Sequence, residues 1–127
     1  MKKILILGAS GSIGKNALKV IRKNLDLFTV VGLSAHTNEG KLIEAAKEFG
    51  VKALALSGKA PESDAVTFTG AEGIIRMIET IDADIILNGI AGAAGLPPSI
   101  AAIKAGKTLA LANKETMVMA GTLINSL

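Results

Sequence analysis

Apolar residues follow two rhythms along this chain, and the two alternate regularly. Unbroken aliphatic runs, the first over residues 4–7, are separated by stretches in which apolar residues return every three or four positions. Short unbroken runs suit strands buried on both faces, and the wider spacing suits one side of a helix. Residues 3–8 are then a first strand. A helix follows from Ser12 to about Leu25, with Ile13, Ala17, Val20 and Ile21 on its inner side. Phe28–Ala35 is a second strand, ending in the polar turn His36-Thr37-Asn38. Asn38 is placed to cap a helix carrying Leu42, Ile43, Ala46 and Phe49, and Gly50 is its stop signal.

The pattern continues through a third strand over 51–56, a loop over 57–62 and a short extra strand over 65–68. Ile74, Ile75, Ile78 and Ile81 mark another helix, and residues 84–88 a buried strand. Pro97 and Pro98 sit where prolines open a helix, and Gly106 ends it. Residues 108–112 form a last strand and 114–127 a last helix. Strands alternating with helices imply right-handed βαβ units. The predicted fold class is α/β: a doubly wound, mostly parallel, Rossmann-like sheet forming one domain over residues 1–127.

Composition narrows the function classes. Half of the 127 residues are hydrophobic, yet the aromatics are only Phe28, Phe49 and Phe68. The net charge of +3 is spread along helix faces, so nucleic-acid binding has no basic block or aromatic platform to rest on. Without cysteine, disulfides, thiol catalysis and cysteine-ligated metals are excluded. The first strand begins at the N-terminus and no apolar run is long enough to span a bilayer, so a soluble cytoplasmic protein with no membrane partner is expected.

Chemistry concentrates at the strand ends. Gly8, Gly11 and Gly14 form a GxxGxxG turn between the first strand and the first helix. A helix N-terminus has unsatisfied N–H donors and about half a positive charge, which suits a pyrophosphate. Glycine lets the ligand approach the backbone with no Cβ in the way. Ser10, Gly11, Ser12 and Ile13 offer backbone N–H groups there, and the two serines serve as hydroxyl donors or simply as helix caps. At the end of the second strand no carboxylate precedes Glu39. An acid there commonly holds the ribose 2′-hydroxyl of NAD, so His36, Thr37 and Asn38 favour a 2′-phosphate and hence NADP. His36 reads equally as a turn residue. The second glycine-rich turn, residues 88–95, suits either a groove wall or close packing of loop on helix. At the last strand end, Asn113 can cap a helix, with Lys114 and Glu115 a solvated pair. Alternatively Lys114 is a point charge for a substrate phosphate or oxyanion.

Taken together, Gly8-Ala-Ser-Gly-Ser-Ile-Gly14, Ala91-Gly-Ala-Ala-Gly-Leu96 and Ala105-Gly-Lys-Thr-Leu-Ala-Leu-Ala-Asn-Lys-Glu115 resemble the N-terminal domain of the 1-deoxy-D-xylulose 5-phosphate reductoisomerase family. The resemblance implies an enzyme that rearranges deoxyxylulose phosphate and reduces the product with NADPH to 2-C-methyl-D-erythritol 4-phosphate, on the non-mevalonate route to isoprenoids. By matching position it implies that Ser10, Gly11, Ser12 and Ile13 hold the pyrophosphate and that positions 36–38 receive the 2′-phosphate. Many members have Gly-Lys-Asn there, where this chain has His36, Thr37 and Asn38. It further implies that Asn113 and Glu115 contact the cofactor and that Lys114 reaches the phosphorylated sugar.

The family enzyme is much longer than this chain, needs Mg²⁺ or Mn²⁺, and is expected to be a homodimer. No acid here matches its metal ligands, so the catalytic and metal residues are expected elsewhere in the whole enzyme, and this chain alone is expected to be inactive. Two other readings remain at this point. One is another NADP oxidoreductase domain, of semialdehyde or homoserine dehydrogenase type. The other is a non-catalytic nucleotide-sensing module, since such folds host many functions.

Overall fold

Strand β1 (Lys2–Leu7) is buried on both faces from Ile4 onward, and the architecture follows from that. The computed structural model describes residues 1–111. After β1 come α1 (Ser12–Arg22), β2 (Phe28–Ala35), α2 (Glu39–Phe49), β3 (Ala53–Leu56) and the two-residue β4 (Phe68–Thr69). Then follow α3 (Gly70–Thr80), β5 (Ile85–Asn88), a 3₁₀ turn at Gly92–Gly95, α4 (Leu96–Lys104) and β6 (Thr108–Leu111). The six strands pair in parallel in the order β4-β3-β2-β1-β5-β6.

Alternate residues of β1 feed two separate cores. Ile4 and Ile6 pack with Val30 and Leu33 of β2 against Leu18 and Ile21 of α1 and Leu42 and Ala46 of α2. Leu5 and Leu7 pack on the other side with Ile86 against Ile74, Met77 and Ile78 of α3 and Ala102 of α4. A strand sandwiched in this way has no polar face, which is why the run reads as continuously apolar. Each fully buried aliphatic side chain contributes about 1.5–3 kcal/mol from water exclusion, so the central strand anchors both halves.

Both predicted caps of α2 are present. The Asn38 Oδ1 accepts the Lys41 N–H at 3.2 Å, and Gly50 closes the helix in the left-handed conformation at φ 68°. Lys19 and Arg22 stand in the last turn of α1, where they complement the dipole.

Several boundaries and faces differ from expectation. Helix α1 ends at Arg22, short of Leu25, because Lys23 closes a terminal turn and the Asn24 side-chain amide donates to the Val20 carbonyl at 2.8 Å. Its buried stripe is Gly14, Leu18 and Ile21, and Val20 is 57% exposed. The phase is set by Gly14, which packs on the turn leaving β1 and rotates Val20 outward. In α3 the inward residues are Gly73, Ile74, Met77 and Ile78, while Ile81 lies just past the helix end. Strand β3 starts at Ala53, since the Val51 N–H finishes the end of α2 on the Ala46 carbonyl. The extra strand is Phe68–Thr69, because residues 63–66 are drawn into a turn closed by the Ser63 carbonyl and hydroxyl. Among the described residues no helix is long and apolar enough to cross a membrane. The helix expected over 114–127 lies outside the described residues.

Candidate functional site

Strand β1 lies between β2 and β5, and the connections leaving β1 (to β2) and β5 (to β6) run in opposite directions from their carboxyl ends. That is the switch point at which open α/β sheets bind ligands. The turn from β1 into α1 occupies it, and its three glycines have distinct roles. Gly8 has φ +73°, and a Cβ on it would lie 2.9 Å from the Gly89 carbonyl oxygen. Gly14 is closed off by backbone: a Cβ there would meet the Gly8 oxygen at 2.4 Å and the Ala9 Cα at 2.6 Å. Gly11 caps α1 with φ −77°, is exposed, and has only the Gly8 oxygen near its missing Cβ, at 3.4 Å. Gly8 thus makes the turn, Gly14 seats the helix, and Gly11 leaves the ligand side open.

This turn is held from the neighbouring strand. The Gly8 N–H donates to the buried Ser34 hydroxyl at 3.0 Å, and the Ala9 N–H donates to the Ser34 carbonyl at 2.7 Å. Across the switch point, buried Asn88 at the end of β5 does similar work. Its Nδ2 donates to the Gly95 carbonyl at 2.7 Å and the Ser99 hydroxyl at 2.8 Å, while its Oδ1 accepts the Ile90 N–H at 3.1 Å. Spacing along the chain did not reveal the anchoring roles of Ser34 and Asn88. The one available signal was a polar residue at the end of each buried strand.

A cleft of about 710 Å³ opens above these anchors. Ser10 and Gly11 border it on one side, Ala35, His36 and Ser57 on another. Ile74, Ile75, Ile90, Pro97 and Pro98 supply aliphatic walls. Volume and lining suit a ligand with flat rings joined by a polar bridge. The His36 Nδ1 lies 3.3 Å from the Ser57 hydroxyl.

Beside His36 a second cavity of about 450 Å³ begins, lined by Thr37, Asn38, Glu39, Gly40, Lys59 and Ser63 among others. Glu39 is 8% exposed, and its carboxylate accepts N–H bonds from Glu62 at 3.0 Å and Ser63 at 2.8 Å. Those two backbone donors hold its pKa below the ordinary value of 4.5, Glu62 most strongly, with Lys59 adding to the effect. The carboxylate nearest the end of β2 is therefore committed to backbone, and it lines the second cavity rather than the main cleft.

The predicted site residues separate accordingly. Ser10, Gly11 and His36 border the main cleft, while Thr37 and Asn38 border the second cavity. Ser12 and Ile13 form the first turn of α1, where helix geometry leaves their N–H groups without intrahelical acceptors. Two expectations are corrected. The Gly11 N–H is not a free donor, since it bonds to the Gly8 carbonyl at 3.1 Å; what Gly11 offers is the missing side chain. Neither serine caps α1 with its side chain, because Gly11 holds the cap position and no side-chain cap bond forms. In the second glycine turn, a Cβ on Gly95 would lie 2.6 Å from the Ile90 oxygen, so close packing explains that glycine, although Ala91 and Ala94 border the cleft. Asn113, Lys114 and Glu115 lie outside the described residues. Among the described residues no group of three His, Asp or Glu side chains is placed to hold a metal.

Comparison with known proteins bears on this geometry. The family model described as 1-deoxy-D-xylulose 5-phosphate reductoisomerase matches residues 4–121. A protein of that name from Thermodesulfovibrio yellowstonii is 47% identical over 131 aligned positions, covering 98% of this chain and 34% of its own length. Another from Leifsonia xyli is 44% identical over 124, covering 98% and 31%. The structure of the Zymomonas mobilis reductoisomerase in complex with NADPH superimposes with a TM-score of 0.78 at 35% identity, over 98% of this chain and 35% of that one. A reductoisomerase in complex with NADPH, fosmidomycin and magnesium gives 0.79 at 33% identity, over 99% and 33%. This chain spans about a third of the length of the relatives it matches. A match over nearly all of its residues, on a sheet with the same fold, decides between the dehydrogenase-type readings and the resemblance noted in the sequence: the chain belongs to the 1-deoxy-D-xylulose 5-phosphate reductoisomerase family.

Proposed function

We propose that residues 1–127 are the NADPH-binding domain of a 1-deoxy-D-xylulose 5-phosphate reductoisomerase. The whole enzyme isomerises deoxyxylulose phosphate and reduces the intermediate to 2-C-methyl-D-erythritol 4-phosphate. The observation that carries the reading is Gly11: exposed, at the cap of α1, on the rim of the cleft at the switch point, with nothing but one backbone oxygen near its missing side chain. A pyrophosphate fits there, against the free N–H groups of Ser12 and Ile13 and the Ser10 hydroxyl. The aliphatic walls suit the cofactor's rings, and the turn at His36, Thr37 and Asn38 suits its adenosine end.

When bound, NADPH supplies a hydride. The residues of this chain bind the cofactor, hold it in register with the sheet and keep water from its apolar side. The proposal assigns Asn113 and Glu115 to the nicotinamide end and Lys114 to the substrate phosphate, all on the segment after β6. It assigns the divalent cation, Mg²⁺ or Mn²⁺, to ligands in the remainder of the enzyme. The whole protein is proposed to be a cytoplasmic homodimer in isoprenoid-precursor synthesis, with this part alone unable to turn over substrate.

The test is calorimetric titration of the chain with NADPH and then NADH, repeated on Gly11→Val. Saturable binding, tighter for NADPH and abolished by the variant, is expected. A chain that binds neither nucleotide, or a variant that binds as well as the parent, refutes the assignment.

A further inference from the structure

We infer that Lys59, in the loop after β3, supplies the cationic contact for the cofactor's 2′-phosphate in the second cavity; this rests on the NADPH reading above. The turn after β2 brings His36, Thr37 and Asn38, none of which carries a fixed positive charge. A 2′-phosphate is a dianion near neutral pH, and a polar turn alone compensates it poorly. Among the described residues lining the 450 Å³ cavity beside that turn, Lys59 alone is basic.

The position of Lys59 is set by the backbone rather than by its own flexible stem. The Ser57 N–H donates to the Ala35 carbonyl at 3.1 Å, and the Gly58 N–H donates to the His36 carbonyl at 2.6 Å. The β3 loop is thereby tied to the β2 turn one residue before Lys59. Gly58 permits this approach, since a Cβ there would lie 2.6 Å from the His36 ring and 2.7 Å from the Thr37 methyl. Beyond Lys59 the loop is tied a second time, where the Glu39 carboxylate takes the N–H groups of Glu62 and Ser63. Lys59 therefore projects from a short span fixed at both ends to the turn that meets the adenosine ribose.

Its ammonium forms no ion pair with the described residues. Two acids line the cavity with it, Glu62 and Glu39, and neither forms an ion pair with Lys59. The Glu39 oxygens are occupied by backbone donors, and Lys59 influences that carboxylate from beyond contact distance. A ligand phosphate entering the cavity finds a cation that no described carboxylate pairs, and the first turn of α2 beside it, where the helix dipole adds to the attraction. The purely structural alternative is that Lys59 only offsets the charge of Glu39. In that case its loss affects all nucleotides alike.

The experiment titrates the parent chain, Lys59→Met and Lys59→Arg with NADPH, NADH, 2′-AMP and 5′-AMP at two salt concentrations. Lys59→Met is expected to weaken NADPH and 2′-AMP by about tenfold or more, with NADH and 5′-AMP within about twofold of the parent, as for loss of one charge-assisted contact. Lys59→Arg is expected to restore most of the NADPH preference, and the salt dependence of NADPH binding is expected to flatten in Lys59→Met. A parent chain that prefers NADPH while Lys59→Met keeps the same preference overturns the Lys59 assignment and leaves the NADPH reading standing. Equal weakening of NADPH and NADH overturns it too, in favour of the structural role. A folded parent chain that binds neither dinucleotide overturns both. Thermal melting of each variant shows whether Lys59→Met remains folded, and Lys59→Arg provides the same comparison with the charge retained.

Discussion

The Ser34 hydroxyl accepts the Gly8 N–H across 3.0 Å, and the Ser34 carbonyl accepts the next N–H, that of Ala9, at 2.7 Å. One residue of β2 thus holds two successive N–H groups where the chain turns from β1 towards α1. Ser34 is 1% exposed, so its hydroxyl is a buried acceptor for that of Gly8. Ser34→Ala leaves the Gly8 N–H without its acceptor, at a cost of about 1–3 kcal/mol. The expected result is a lower urea midpoint with unchanged slope, together with weaker NADPH binding. An unchanged midpoint would show that the hydroxyl does not support the turn.

The three glycines of the turn separate fold from binding. Gly14→Ala drives a Cβ into the backbone of Gly8 and Ala9, which cannot swing away as a side chain would. Overpacking costs about 1–3 kcal/mol and occasionally more, and a clash with backbone falls at the upper end, so the variant is expected to melt well below the parent or to fail to fold. Gly11→Ala meets only the Gly8 oxygen, at 3.4 Å, and loses a modest capping preference, under about 1 kcal/mol. It is expected to fold and to bind NADPH poorly. If Gly11→Ala binds normally, the pyrophosphate does not sit on this turn.

Much of this was legible in the sequence because it is local. The glycine turn, the Asn38 cap and the Gly50 stop each follow from a few adjacent residues and the backbone conformations they favour. The alternation of aliphatic runs with helical spacing was enough to indicate a parallel sheet covered on both sides. What escaped was contact between segments. Ser34 meets Gly8 from 26 positions away, and Gly58 meets His36 only because β2 and β3 pair in one particular register. The spacing points Val20 inward, but the close seat of Gly14 on Gly8 and Ala9 fixes the helix phase. The cofactor roles of Asn113 and Glu115 rest on the family resemblance alone, and that of Lys114 on the resemblance together with its charge at a strand end.

Asn88 makes the second glycine turn depend on one side chain. Its amide donates to the Gly95 carbonyl and the Ser99 hydroxyl, and its Oδ1 accepts from Ile90. Asn88→Asp keeps the shape but places a carboxylate oxygen against the Gly95 carbonyl. Burial and the facing acceptor raise the folded-state pKa of the introduced acid above its unfolded value. The penalty is then fully present at neutral pH and eases as the pH falls and the acid gains a proton that it can donate. Urea midpoints of variant and parent are expected to differ most near pH 7 and to draw together on acidification. A gap that is constant with pH would mean that the Gly95 carbonyl is not held by residue 88.

Glu39 gives the parent chain the opposite dependence. Backbone N–H groups of Glu62 and Ser63 lower its folded-state pKa below the ordinary 4.5. A depressed carboxylate contributes stability that is fully present above the unfolded value and is lost as pH falls through the folded one. The parent is therefore expected to lose stability on acidification below about pH 4.5. Glu48 beside Arg22 and Asp82 beside Lys3 act in the same direction. Those two pairs lie on the exposed surface, where salt weakens them, so added salt should leave the Glu39 share largely intact. Glu39→Gln retains one acceptor and loses the other. It is expected to be less stable than the parent at pH 7, with a shallower decline below pH 4.5, and to loosen the loop that carries Lys59. Denaturation at a series of pH values in high salt checks the first point, and the NADPH-to-NADH preference of the same variant checks the second. A Glu39→Gln chain that keeps the full acid dependence of the parent would show that the loop amides do not hold this carboxylate.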